Sequence, residues 1–162
     1  MKIRNGFVSN SSSSSFIVLK DALTKEQKDQ IVDFQEWAKL FIALDEENYK
    51  DDKVYITDGD LYRSSEYQEQ QYSRLKYKFA YYDDGYWGMI ETDDYIFGST
   101  TMDNFGMDEY FKHIKVNDDY VNWGDGWNND PTTEDLGFIR EVKQKYRKRK
   151  LNKLNESQRK NV

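Results

Sequence analysis

Paired aspartates recur along the chain, at Asp58-Gly59-Asp60, Asp83-Asp84, Asp93-Asp94 and Asp118-Asp119. Carboxylates grouped this way can hold a hard cation such as magnesium or calcium, or present negative charge to a basic surface. None follows the twelve-residue calcium-loop pattern, and Asp beside Gly occurs in turns for conformational reasons alone. No metal is therefore assigned. The single histidine, His113, lies between Phe111 and Ile114, a setting that suits a partly buried structural ring better than a general base. The chain has no cysteine, which removes thiol nucleophiles, disulfides and thiolate metal sites. Ser11 to Ser15 form a run of hydroxyls but lack the glycines and lysine of a Walker-type phosphate loop. That run reads as a solvated loop or edge segment, with a binding loop or a modification site as alternatives. Thirty acids make carboxylate pairs trivially available, so a glycosidase-like pair carries no signal. No enzymatic activity and no cofactor are expected.

The charge is unevenly distributed. Between Ala43 and Asp135 there are twenty-three acids against eight Lys and Arg, and nineteen aromatics are threaded through them. The residues before that stretch sum to +1 and those after it to +8, for a whole-chain charge of −6. An acidic, aromatic-rich body is thus followed by a basic helix. Acids spread over a folded surface can imitate nucleic-acid phosphates and occupy a basic groove on another protein; the plainer reading is that they keep the chain soluble. The contact is expected at Asp83, Asp84, Tyr86 and Trp87, with Asp93, Asp94, Asp118 and Asp119 as a second patch. The partner implied is a protein with a basic groove. Direct nucleic-acid binding through Lys143 to Lys153 is the alternative, opposed by the net negative charge. A homo-oligomer and a virion or assembly role stay open.

Several elements must position these residues. Thr24 to Gln27 has the capping-box pattern, and Ile31, Phe34, Ala38, Phe41 and Ile42 then recur at helical spacing, predicting a helix over 25–44. Phe16 to Leu19 reads as a buried strand, and Val54 to Thr57 as a short one. A helix over 66–75 is expected, then a hairpin of strands 76–81 and 86–91 turning at Asp83-Asp84-Gly85, and a further strand at Tyr95 to Gly98. Residues 107–116 read as a short helix with a strand near Ile114. Residues 117–133 read as a long loop pinned by Trp123 and Trp127. Thr132 or Thr133 caps a final helix whose apolar stripe is Leu136, Ile139, Val142 and Tyr146.

The fold class expected is α+β: a small antiparallel sheet, built as a meander, with an N-terminal and a C-terminal amphipathic helix. Residues 1–150 form one domain and 151–162 a basic tail that frays or projects into solvent. No apolar run approaches a membrane span, and the basic start leads into serines rather than an apolar signal core, so a cytoplasmic setting is expected. The opening Met1-Lys2-Ile3-Arg4-Asn5-Gly6-Phe7-Val8-Ser9-Asn10, continuing through Ser15-Phe16, resembles the start of many small bacteriophage-encoded proteins of uncharacterised function. The resemblance covers about the first eighteen residues and brings no catalytic residue with it. It implies an origin, a phage-encoded accessory protein; with the acidic-aromatic surface, the expected function is to inhibit or redirect a nucleic-acid-handling or defence protein in the host cytoplasm.

Overall fold

The computed structural model describes residues 13–48, 55–57, 69–71, 74–80, 86–101 and 105–161. Its centre is strand β1 (Ser14–Leu19), every residue of which is buried. Alternation along β1 sends Phe16 and Val18 to one face of the sheet and Ile17 and Leu19 to the other. Both faces are covered, so the strand reads as a continuous apolar run. Phe16 and Val18 join the larger core with Ile31, Phe34, Ala38, Tyr110 and Phe111. Ile17 and Leu19 join a second core with Phe97, Ile139 and Val142.

Beside β1 lie β5 (Tyr95–Thr100) and β6 (Val121–Gly124), with β4 (Gly88–Glu91) outside β5; all pairings are antiparallel and the order is β4-β5-β1-β6. In register, Ser14 faces Thr100 on one side, and Ser15 faces Gly124 on the other. A simple meander is thereby corrected: the first described strand is inserted between two of the last. The end of the serine run is also not a solvated edge. Ser14 and Ser15 sit in the central strand, the latter 4% exposed, with Gly124 opposite. A Cβ at Gly124 would stand 2.5 Å from Ser15 Oγ.

The first helix is two helices, α1 (Lys25–Val32) and α2 (Phe34–Asn48), separated at Asp33. The Thr24–Gln27 capping box is present in both directions. Residues 55–57 (β2) and 69–71 (β3) pair as a separate two-stranded ribbon, so the helix expected over 66–75 gives way to strand at its centre. The segment expected as strand 76–81 is instead helical where described: α3 spans Arg74–Lys78. Asp45 on α2 accepts the Leu75 amide at 3.0 Å and ties this short helix to the body.

Helix α4 (Met107–His113) is followed not by a strand at Ile114 but by a reversal through Lys115, whose φ is 60°. The Val116 amide closes back on Phe111 O at 3.0 Å, the pattern of a left-handed helix stop. Asp118–Tyr120 then makes one 3-10 turn into β6, so Trp123 belongs to a strand rather than a loop. Trp127 remains nearly half exposed, and Trp123 alone of the two packs on the core. The last helix, α5, runs over Thr133–Lys160, and residues 151–160 continue it instead of fraying. The α+β class holds, with α1, α2 and α4 on one face of the sheet and α5 on the other.

Candidate functional site

Helix α5 is the element whose position gives the molecule a surface with a definite chemical character. Thr132 starts it. Its hydroxyl accepts the Asp135 amide at 3.1 Å, and the Asp135 carboxylate accepts the Thr132 amide at 2.9 Å. The same carboxylate accepts Asn122 Nδ2 at 3.0 Å, which fixes the start of the helix to β6. Ile139 and Val142 are then buried against β1, with Phe138 and Tyr146 partly so, while Leu136 is largely exposed and stands off the expected stripe.

Two polar contacts pin the helix further along. Lys143 Nζ pairs with Asp94 in the β4–β5 turn. Arg149 donates to the Tyr120 hydroxyl at 3.0 Å, lies 6.0 Å from that ring's centre, and is 3.8 Å from Asp119. Tyr120 and Tyr146 meet edge to face at 5.6 Å beneath it. Beyond Arg149 every described residue of α5 is exposed. Those eleven residues to Lys160 extend about 16 Å at 1.5 Å per residue. The extension is a direct continuation of a docked helix, which spares it the cost of nucleation, and Lys, Arg and Leu are good helix formers. A Glu141–Lys145 pair at 2.6 Å lies on its exposed side.

From Arg147 to Lys160 there are seven Lys and Arg against one Glu, a formal +6. Residues 1–146 carry −12. The charge is therefore divided along the chain, and the end of the positive part, beyond Arg149, is exposed throughout.

The expected contact residues separate. Asp83 and Asp84 lie outside the described residues. Tyr86 is 72% exposed, as a contact residue would be. Trp87 is only 4% exposed and packs 5.7 Å from Phe16, so most of its ring belongs to the core. Its large ring fills the space above β1, and its Nε1 is buried with no acceptor among the described residues. Asp93 is exposed at the hairpin turn, whereas Asp94 is engaged by Lys143. Asp118 accepts Trp123 Nε1 at 3.1 Å, and Asp119 sits beside Arg149. Two members of the second patch, Asp94 and Asp119, thus face the protein's own basic helix.

His113 packs edge-on against Phe41 and Phe79, at 4.8 and 5.5 Å between ring centres. Desolvation, helped by Lys78 and opposed by Asp45, holds its pKa below the ordinary value. Burial pushes the Tyr110 phenol well above its usual range, and that hydroxyl donates to Gln30 O at 2.6 Å. Among the described residues no three His, Asp or Glu side chains converge to hold a metal ion. None of the described helices is long and apolar enough to cross a membrane.

A shallow groove of about 250 Å³ lies between the α1–α2 junction and β4, lined by Val32, Asp33, Glu36, Tyr86, Trp87 and Met89 among others. Only Tyr86 and Trp87 of these were singled out in the sequence. The others were hidden because the helix break at Asp33, which opens the groove, has no glycine or proline to signal it. The fold and surface together define an α+β domain bearing a projecting basic helix. No protein-family model, no curated protein and no solved structure matches the chain.

Proposed function

We propose that this is a non-enzymatic accessory protein that contacts the phosphate backbone of nucleic acid through the distal half of α5. One observation carries the reading: of the seven cations from Arg147 onward, Lys150, Lys153, Arg159 and Lys160 are displayed on the exposed stretch of helix beyond the contact at Arg149. Counted over the whole chain, a charge of −6 opposes binding to a polyanion. Charges act locally, however, with a screening length of about 8 Å at physiological ionic strength. The helix tip stands about two such lengths past Arg149. Among the described residues, the body carboxylates Asp94 and Asp119 lie beside Lys143 and Arg149. The N-terminal resemblance to phage-encoded proteins supplies the setting, an infected host cell.

The side of α5 that would meet phosphate carries Lys153, Arg159 and Lys160, with Lys145 in line with them nearer the body, all within one half of the helix circumference at about 100° per residue. Three or four phosphate contacts give a slope of log K against log salt near −3. Fluorescence anisotropy with a labelled DNA or RNA duplex of about 20 base pairs, at salt from about 50 to 200 mM, measures it. The K153E/K160E variant is expected to bind at least tenfold more weakly and to flatten the slope by about 2. No binding at the lowest salt, or binding indifferent to that variant, overturns the reading. Retention instead of a host protein through Asp93, Asp118 and Tyr86, lost at high salt, would return the function to phosphate mimicry.

A further inference from the structure

We propose that the leucine side of α5 docks into the groove between α1–α2 and β4 of a second copy of this chain. Two features of the surface are otherwise unaccounted for, and each fits the other. Leu151 and Leu154 are 59% and 55% exposed on a helix that is polar around them. Three residues apart, they share one side of the helix, and Arg147 and Lys150 flank them. That side is roughly opposite the Lys145, Lys153, Arg159 and Lys160 side. Phosphate contact therefore leaves the leucines unused.

The groove presents the complementary chemistry. Its floor is apolar, from Val32, Trp87 and Met89, and Tyr86 projects at its rim. Asp33 and Glu36 supply negative charge at the edge, where Arg147 and Lys150 would arrive. An amphipathic helix laid into an apolar groove, with opposite charges around it, is a recurrent mode of recognition.

The helix cannot fill the groove of its own chain. Ile139 and Val142 hold α5 against the sheet face that carries Ile17 and Phe97. Trp87, Phe34 and Met89 pack on the opposite face with Phe16 and Val18. The sheet stands between them, so the occupant comes from another molecule. If each copy gives its helix to the other's groove the assembly closes as a two-fold dimer.

Sedimentation velocity of the full chain from about 5 to 200 µM, at about 50 and 500 mM salt, tests the proposal. Dimer is expected at the upper concentrations, weakened by salt. The L151D/L154D variant, altered only on an exposed helix surface, is expected to stay monomeric throughout. Glu36, whose exposed side chain pairs with its neighbour Lys39 at 3.2 Å, gives the groove-side test. E36R is expected to weaken the dimer at least tenfold at low salt while its circular dichroism is unchanged. K153E/K160E, which tests phosphate contact, should leave dimerisation within about twofold, so the two readings fail separately. A wild-type chain that is monomeric at every concentration overturns the proposal. So does a dimer that survives both L151D/L154D and E36R.

Discussion

Replacing Asp135 with alanine is expected to loosen the helix that gives this molecule its surface. The carboxylate has two jobs in the structure. It closes the capping box with Thr132, and it holds Asn122 of β6 at 3.0 Å. Loss of a cap costs about 0.5–2 kcal/mol. Loss of a hydrogen bond to a charged, largely buried acceptor costs about 1.5–3 kcal/mol. Together these give roughly 2–5 kcal/mol, or a fall in Tm of about 4–20 °C for a chain of this size. Urea denaturation gives the free energy, and hydrogen exchange over residues 133–139 locates the loss. Asn122→Ala supplies the control: alone it should cost about 1–2 kcal/mol, and in the Asp135→Ala background almost nothing. An Asp135→Ala cost under about 0.5 kcal/mol refutes the reasoning, as does an Asn122→Ala cost equal in both backgrounds.

Three further outcomes are expected. In Gly98→Ala the new methyl would lie 2.3 Å from Phe16 Cε1, and Phe16 is hemmed in by Trp87, Phe111 and Trp123. Overpacking should therefore cost about 1–3 kcal/mol, and an unchanged melting curve would count against this register. Gly137→Ala, where nothing among the described residues lies within 4 Å, should instead add about 0.5–1 kcal/mol, read from the same urea titration. His113 has a folded pKa depressed chiefly by desolvation, so the fold disfavours the charged ring. Its contribution is intact above the unfolded pKa of about 6.5 and is lost as pH falls from there toward the folded value. Urea midpoints at about pH 7.5 and 5 should therefore diverge less in His113→Gln than in wild type.

What could be read from the sequence was local. Thr24 to Gln27 and Thr132 to Asp135 announce their helices because a cap is written in four residues. Phe16 to Leu19 announces a buried strand by composition alone. The alternation of Lys76 to Tyr81 misled, because a run that short fits a helical turn as well as a strand, and the Asp45 carboxylate capturing the Leu75 amide favours the helix. Sheet order was illegible for a different reason: the neighbours of β1 lie about eighty and more residues away, and no local signal marks them. The site was half legible. Charge segregation is visible in composition, and exposed Tyr86 fits the expected contact. Trp87 looked like surface because its sequence neighbours are acidic, but ring packing on Phe16 decides its place. The end of the apolar stripe at Tyr146 suggested fraying, whereas a helix already nucleated on the body can carry on through residues of high propensity.

The place of β1 in the sheet also sets a clock on synthesis. Ser14 leaves the ribosome early, yet its strand gains a second flank only when Gly124 has followed. At about 5–20 residues per second those hundred or so residues take roughly 5–20 s. Until Tyr95–Thr100 has followed, Phe16, Ile17, Val18 and Leu19 have two open edges, and until Gly124 they keep one, a natural substrate for chaperones. Slowing translation after α2 should therefore lower the soluble yield of this protein, and a co-expressed chaperone should restore it.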